Sequence, residues 1–558
     1  MTPVTGRDAV PEPRSAWPFV LAVVGVLLVY AGSATHLIEL PGVYMDAVNP
    51  DYLVAKVLNR AHANPLIAWV LPGNYLANRF PVLVSLYHGL QQFWLALPLY
   101  ALFGMSVVGI RLTHSVFAMG VLIAALVLVR RARIPLPIAA LAGVALAADP
   151  TFVFAFRTQS YITLAPVAWM LLSIAALAMP ANGNQALPVR RHYVVSGLCF
   201  GFAVLGYFVY AFYLPAMLGF VLAATRRDVS QRGAAANALR WVAGLALGCA
   251  YYVLGYALVA HEIGGGIGGL IAFIEESTAR LGAFATSPSL SERLAAATGF
   301  VESVFSNGWQ RSLMFAEHGP QPFDAPRMLL LIVVPLLLFA NAEMRGRATP
   351  LLRVAIALPC SFFGVALIFG TRLGGHHFMS LLPLAYVALA AGLAALQSVT
   401  APRRATLPVL PVTLLCVLAA INLAATQRDF ATLARSGGVG LFSDAVNHLA
   451  NGVAALSPAT LVYFPDWGLA LPVTLITGGR VATSAAVDAA QAHRMLCGGR
   501  DVAVAIVGDD TRRFSDWARE FHWQPPRVTT YAQRDGVAVA QLGVYAAGSR
   551  ADSACGAS

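Results

Sequence analysis

Long apolar runs, separated by short polar segments, fill the first three quarters of the chain. A helix needs about 20 mostly apolar residues to cross a bilayer, and runs of that size recur here between arginine clusters, prolines and glycines. The pattern predicts eleven spans, near residues 17–35, 107–129, 134–153, 161–179, 192–208, 209–225, 240–260, 327–342, 352–370, 379–397 and 407–426. It is typical of a polytopic α-helical membrane protein.

The pattern changes after residue 426. The stretches "ATLVYFPDWG", "RDVAVAIVGDD" and "GVAVAQLGVY" predict β-strands, and they alternate with the helical patterns "FSDAVNHLANGVAAL" and "TRRFSDWAREF". We therefore expect a small C-terminal α/β domain over residues 427–548, followed by a disordered tail at 549–558.

Composition supports the membrane class and charge predicts its orientation. The chain has 58% hydrophobic and 11% charged residues, whereas soluble domains carry roughly 25% charged residues. The net charge of +11 comes from arginines in short loops rather than from one patch, which disfavours nucleic acid as a partner. By the positive-inside rule, residues 1–16 are cytoplasmic, and two outer loops (36–106 and 261–326) and the C-terminal domain face outward.

The start of the first outer loop carries two aspartates in "GVYMDAVNPDYLVAKVLNR". Asp51 follows Asn49 and Pro50, a sequence that resembles the start of a helix, so a helix-capping role is a fair alternative for this carboxylate. For Asp46 the capping explanation is weaker. It is the stronger candidate for chemistry.

The order of motifs in the first third of the chain resembles the GT-C class of polytopic glycosyltransferases. The nearest family contains the protein O-mannosyltransferases and the aminoarabinose transferases of lipid A. The resemblance covers residues 17 to about 180 and rests on an acidic residue early in the first loop, a stretch that begins at His88 and ends in "LFG" at Gly104, and the basic positions Arg111, Arg130 and Arg131.

The resemblance implies a glycosyltransferase that uses a sugar on a polyprenyl phosphate at the outer face. Phosphate is already a good leaving group, so one carboxylate that takes the proton of the acceptor hydroxyl is sufficient. We expect Asp46 to be this base and keep Asp51 as the second candidate. No metal or other cofactor is expected, because no cluster of histidines and carboxylates has ligand spacing.

Basic, aromatic and amide side chains near the outer ends of spans are candidates for contacts with the donor. A leaving phosphate needs fixed donors, for which arginine is well suited, although each of these residues could instead anchor a helix end. The candidate substrate-binding residues are Lys56, Arg60, His88, Arg111, Arg157, Gln159, Tyr161, Arg372, His376 and His377.

Two other functions remain open at this point: a transporter or flippase of a lipid-linked substrate, and a noncatalytic scaffold. For the transferase we expect a polyprenyl-phosphate sugar, membrane lipids and a lipid, glycan or protein acceptor as partners, in a bacterial inner membrane with a periplasmic C-terminal domain. Cys497 and Cys555 both fall in the exported part, where a disulfide between them is one of two alternatives.

Overall fold

A computed structural model describes residues 16–59, 75–76, 80–178, 190–228, 231–280, 289–347, 350–369, 373–400 and 409–547. The predictions for the N-terminal segment up to residue 15 and for the tail at 549–558 lie outside these residues. The helices of the first part are α1 (Trp17–Thr35), α2 (Leu53–Leu58), α3 (Gln91–Phe103), α4 (Val107–Arg131), α5 (Leu136–Ala147), α6 (Pro150–Ala155), α7 (Tyr161–Leu164), α8 (Val167–Leu177), α9 (Arg190–Gly206), α10 (Leu214–Asp228), α11 (Gln231–Gly248), α12 (Ala250–Ile263) and α13 (Gly266–Arg280).

The remaining helices of the apolar part follow the same plan. They are α14 (Leu290–Phe305), α15 (Gly308–Phe315), α16 (Asp324–Met328), α17 (Val334–Ala340), α18 (Ala342–Arg347), α19 (Pro350–Phe369), α20 (Gly375–Phe378), α21 (Leu381–Thr400) and α22 (Val409–Ser436). Two short antiparallel strands of two residues each, β1 (Tyr75–Leu76) and β2 (Phe80–Pro81), pair with each other. The chain is a multi-pass membrane protein.

Within the described ranges, six helices are long and apolar enough to cross a bilayer: Trp17–Thr35, Val107–Arg131, Phe208–Arg226, Pro350–Ile368, Gly375–Val399 and Val409–Ser436. The helices Gly233–Gly248 and Ala250–Ile263 meet at an angle of 49° at Cys249 and make a seventh span if the pair is counted as one. Eleven spans are therefore not confirmed. The predicted span 134–153 ends early because Asp149 caps α6, accepting a hydrogen bond from the backbone N–H of Phe152 at 3.1 Å.

Glycines set the closest helix packing of the apolar part. Helices α9 and α11 each carry two glycines four positions apart, and a Cβ added at Gly197 would lie 2.0 Å from the carbonyl oxygen of Trp241. The same holds for Gly244 against the carbonyl of Val194, at 2.2 Å. Small residues at this spacing let two backbones touch inside a membrane.

The C-terminal sheet unit (residues 440–545) has five strands in the order β4-β3-β5-β7-β6. Strand β3 is parallel to β4 and β5, and β7 is antiparallel to β5 and β6. Apolar side chains fill both faces, since β5 is buried along almost its whole length. Its elements are α23 (Ala445–Ala454), β3 (Leu461–Tyr463), α24 (Ala470–Ile476), β4 (Ala482–Ser484), α25 (Ala489–Cys497), β5 (Val502–Val507), α26 (Arg512–Glu520), β6 (Arg527–Ala532) and β7 (Ala538–Tyr545).

Candidate active site

Arg157 holds the end of α1, where the candidate site begins. Its buried guanidinium donates hydrogen bonds of 2.7–3.1 Å to the carbonyl oxygens of Ser33, Ala34, His36, Leu37 and Leu40. A helix leaves its last carbonyls without intrahelical partners, so the cation satisfies groups that would otherwise be buried unpaired. In this structure Arg157 contacts backbone.

Arg111 binds the next carbonyl after those held by Arg157, that of Pro41. Its guanidinium, 2% exposed as a residue, donates to the carbonyl oxygens of Pro41 and Arg157, both at 2.7 Å. The two arginines that the sequence proposes for substrate contact thus lie together and fix the path of residues 37–41. Gln159 is buried in the turn after Arg157.

The C-terminal sheet unit fixes the next residues of this segment. The backbone N–H of Gly42 donates to the carbonyl of Phe442 at 2.8 Å, and that of Val43 donates to the side-chain oxygen of Asn447 at 3.0 Å. Only glycine fits at position 42, because a Cβ there would lie 1.9 Å from the carbonyl oxygen of Ser443. The segment that leads to Asp46 is therefore held from both parts of the molecule.

Asp51 lies in a closed pocket. Its carboxylate is fully buried, and the hydroxyl of Tyr100 donates to it at 2.8 Å. His114 Nε2 lies 3.2 Å from the same oxygen, and the Tyr161 hydroxyl lies 3.5 Å from the other. The side chain of Asp51 does not cap α2, because this helix begins at Leu53 and no side chain accepts a hydrogen bond from its first backbone N–H groups.

A shared proton stabilises that pocket. His114 Nδ1 lies 3.2 Å from the carbonyl oxygen of Phe156, which can only accept, so this nitrogen carries a hydrogen. Its Nε2 faces the Asp51 carboxylate, and one more hydrogen must lie between the two groups. The imidazole also stacks on Tyr161 with ring centroids 3.8 Å apart. Asp51 and Tyr161 are thus joined in one saturated network.

Asp46 has a different environment five positions earlier. It sits in a 3₁₀ turn (Met45–Val48) and is only partly buried. No described residue donates a hydrogen bond to its side chain. Burial raises the pKa of this carboxyl from 3.8 to about 6, and it also raises the pKa of Tyr87, to which the charge of Asp46 adds. The carboxylate is available to a ligand and poised to take a proton near neutral pH.

A row of aromatic and histidine rings links the first loop to α20, and one of its members, Tyr207, lies within electrostatic range of Asp46. We call it the ring row and define it as His88, Tyr207, His377, His376 and Trp309. Successive ring centroids are 5.3, 5.6, 3.9 and 6.2 Å apart. The structure thus brings three residues proposed from the sequence, His88 and the histidine pair, to one wall.

Several polar atoms of this row have no partner within the described part of the chain. They are Nε2 of His88, Nδ1 of His376 and the indole nitrogen of Trp309. Burial lowers the pKa of His88 to about 3, so its ring is neutral. Buried polar atoms are ordinarily hydrogen-bonded, and three that are not, along one wall, indicate a place for a polar ligand.

Other proposed residues lie elsewhere or beyond the described residues. Lys56 is half-buried on α2, and burial lowers the pKa of its ammonium group. Arg60 and Arg372 fall outside the described ranges. Tyr207, Tyr87 and Trp309 were not proposed from the sequence, because isolated aromatics are common in membrane helices. Only the fold brings Tyr207 and Tyr87 within electrostatic range of Asp46 and Trp309 next to His376.

The described residues contain no group of three or more histidines, cysteines, aspartates or glutamates that could hold a metal ion. Cys497 is disulfide-bonded, and Cys555 lies outside the described ranges. Cys199, Cys249, Cys360 and Cys416, all on the apolar helices, are free.

No protein-family model and no curated protein sequence matches the chain. Among solved structures, it is similar to ArnT from Cupriavidus metallidurans bound to undecaprenyl phosphate, with a TM-score of 0.53 and 15% identity over 95% of this chain and 98% of that one. The apo state of the same protein gives a TM-score of 0.53 over 94% and 97%. An oligosaccharyltransferase from Archaeoglobus fulgidus has a TM-score of 0.46 and 12% identity over 88% of this chain and 70% of that one. The resemblance to the GT-C fold is thereby confirmed: this chain shares the fold of ArnT along almost its whole length.

Proposed function

We propose that the chain is a membrane glycosyltransferase that moves a sugar from a polyprenyl-phosphate donor to a lipid, glycan or protein acceptor. The observation that carries the proposal is Asp46, a partly buried carboxylate to which no described residue donates a hydrogen bond, within electrostatic range of Tyr207 in the ring row. The chain shares its fold with ArnT, whose structure has been solved with undecaprenyl phosphate bound, and this likeness supports the choice of donor.

Asp46 is the general base of the proposed reaction. Its carboxylate takes the proton of the acceptor hydroxyl while the acceptor oxygen bonds to the anomeric carbon. The bond from that carbon to the phosphate oxygen breaks, and the phosphate leaves with the electron pair. A base works best with a pKa near the working pH, and burial raises the pKa of Asp46 to about 6.

Asp51 is less suited to this role and is assigned to positioning. One of its carboxylate oxygens already faces Tyr100 and His114 at 2.8 and 3.2 Å. A carboxylate in this state would have to break buried hydrogen bonds before it could take a proton from a substrate. Arg111 and Arg157 are likewise assigned to holding the loop, because their guanidinium groups are directed at backbone carbonyls.

An apolar groove of about 460 Å³ offers a place for the polyprenyl tail. Phe305, Leu331, Pro359, Leu381 and Ala385 are among its lining residues. Leu381 begins α21, immediately after the turn that follows the histidine pair, so the groove opens close to the ring row. The tail would lie among the apolar helices while the phosphate reaches the ring row.

The proposal places Asp46 and the C-terminal sheet unit on the outer face of a bacterial inner membrane, with a cytoplasmic N-terminus. The disulfide at Cys497 supports an oxidising compartment for this unit. Transport is less favoured. Two buried ion pairs of the helical part, Arg327 with Asp149 and Arg311 with Asp324, both at 2.8 Å, have their charges matched within the protein.

The test is binding and turnover of a panel of polyprenyl-phosphate sugars by the purified protein in lipid nanodiscs. We expect one donor to bind to both wild type and Asp46→Asn, and its polyprenyl phosphate to be released only by wild type with an acceptor extract. If no donor binds, the fold is shared without the activity. Equal turnover by the two proteins would rule out Asp46 as the base.

A further inference from the structure

Tyr207 is the second ring of the ring row, between His88 and His377, and makes one described hydrogen bond. Its hydroxyl oxygen lies 3.2 Å from Nε2 of His377. Which of the two groups donates depends on whether Nε2 or Nδ1 of the imidazole carries the hydrogen. The hydrogen bond made by Nδ1 determines this. The donor in this pair determines whether the tyrosine hydrogen is available to a ligand.

The backbone of Gly374 fixes the tautomer of His377. The N–H of Gly374 lies 2.9 Å from Nδ1 of His377 in donor geometry, whereas the carbonyl oxygen of the same residue is more distant, at 3.2 Å. A backbone N–H can only donate, so Nδ1 accepts and carries no hydrogen. The hydrogen of the neutral ring is then on Nε2. His377 donates it to the hydroxyl oxygen of Tyr207.

Tyr207 is left with a hydroxyl hydrogen that has no described acceptor. The residue is 3% exposed, and a buried hydroxyl without an acceptor is unfavourable. Burial raises the pKa of Tyr207 well above its ordinary value, and the charge of Asp46 adds to this effect, so the carboxylate lies within electrostatic range of the hydroxyl. The group stays protonated and close to the proposed base.

We propose that Tyr207 donates this hydrogen bond to a phosphate oxygen of the lipid donor, and that His377 is the residue that positions it. The inference rests on the proposed function and names the group that receives the leaving phosphate. No proton is transferred. As the bond to the anomeric carbon breaks, negative charge grows on the phosphate and the hydrogen bond from Tyr207 strengthens, which lowers the barrier.

His88 supports the same location for the phosphate. Its ring centroid lies 5.3 Å from that of Tyr207, and its buried Nε2 has no partner among the described residues. Arg111 and Arg157 do not compete for this role, because their guanidinium groups bind backbone carbonyls. Neutral polar groups on one wall can hydrogen-bond the oxygens of a phosphate, and a hydrogen bond with one charged partner is stronger than one between neutral groups.

The experiment compares two lipids that differ only in the headgroup. Undecaprenyl phosphate and undecaprenol are titrated against the full-length protein in nanodiscs. For Tyr207→Phe we expect phosphate affinity to fall about 10- to 100-fold while undecaprenol affinity stays unchanged, since one hydrogen bond to a charged group is lost. His377→Ala should give a smaller loss, and His377→Gln, which restores an N–H near Nε2, should recover part of it.

Tyr210→Phe is the matched control. Tyr210 is also fully buried, three positions further on, but its hydroxyl donates to the carbonyl of Thr163 at 2.6 Å. Its loss should lower stability and leave the preference for phosphate over undecaprenol unchanged. If Tyr207→Phe weakens both lipids equally, its role is structural and the inference fails.

The outcomes separate this inference from the function on which it rests. If wild type prefers undecaprenyl phosphate and Tyr207→Phe prefers it equally, only the role of Tyr207 is overturned. If wild type shows no preference for the phosphate, the donor class and this inference both fail. Nitrogen-15 spectra of histidine-labelled protein provide a readout that is independent of activity: a hydrogen on Nδ1 of His377 would overturn the inference directly.

Discussion

Asp46 and Asp51 are two carboxylates on one short segment, yet the pockets around them differ in nearly every respect. The Asp51 pocket is closed, and Tyr100, Tyr161 and His114 surround its oxygens. The Asp46 pocket leaves the carboxylate without a described hydrogen-bond donor and within electrostatic range of Tyr207. The comparison shows that the unsatisfied aspartate is the one with capacity for chemistry, whereas the satisfied one holds the structure.

The largest expected effect is on turnover by Asp46→Asn. General base catalysis contributes about 10²- to 10⁴-fold, so transfer should fall by that factor while donor binding is retained. The measurement is single-turnover release of polyprenyl phosphate with saturating donor. Asp51→Asn serves as the comparison, with a much smaller loss per folded molecule. A reversal of this order would exchange the roles of the two residues.

The second effect is on stability and concerns Asp51. Asp51→Asn should lower the free energy of unfolding by about 1–3 kcal/mol, because an amide cannot share the proton of His114 and one buried donor is left unpaired. Thermal unfolding in detergent, followed by tryptophan fluorescence, measures the change. Tyr100→Phe, which removes one hydrogen bond to the same carboxylate, should destabilise the protein in the same direction. An unchanged midpoint for both variants would contradict the structural role.

The third effect is a pH dependence that belongs to Asp46 alone. The base must be ionised, so kcat/KM of wild type should fall about tenfold per pH unit below a pKa of about 6 and level off above it. The donor is a phosphodiester without a group that titrates in this range. Asp51→Asn should keep the same midpoint, and a midpoint near 4 would show that the base is not a buried carboxyl.

The smallest effect is a stability gain in Asp46→Asn. The folded carboxyl holds its proton more tightly than the unfolded one, because its pKa is raised from 3.8 to about 6. Its contribution is therefore fully present below pH 4 and is lost as the pH rises through 6. Asparagine does not ionise, and a pKa raised from 3.8 to about 6 corresponds to about 3 kcal/mol before solvent screening of this partly exposed group. The variant should therefore be more stable than wild type by about 1–2 kcal/mol at pH 8. At pH 4 the two unfolding midpoints should coincide.

The sequence predicted the class of the fold but not the breaks in its helices. Apolar periodicity identifies runs of suitable length, yet it does not reveal that Asp149 pairs with Arg327, 178 positions away, at the point where the predicted span 134–153 is interrupted. A pairing between distant residues has no local signal. The count of eleven spans is therefore not confirmed, while the GT-C resemblance is.

The candidate site was predictable only in part, for a similar reason. Asp46, His88 and the pair His376 and His377 could be proposed from residue type and position relative to the spans. The hydrogen bonds that surround Asp51, and those of Arg157 to five carbonyls at and after the end of α1, depend on groups brought together by folding. Tyr207 carries no motif at all, and its orientation follows from one backbone N–H at Gly374.

The hydrogen bond between Val43 and Asn447 joins positions 404 residues apart, and it has a consequence for biogenesis. At a translation rate of about 5–20 residues per second, a ribosome needs roughly 20–80 s to pass from one position to the other. During that time the segment before Asp46 has already been made, but the surface that receives Gly42 and Val43 has not. The segment that carries Asp46 is among the first parts of the chain to be synthesised and among the last to be fixed in place. A nascent or truncated chain therefore contains Asp46 but lacks the C-terminal residues that position it.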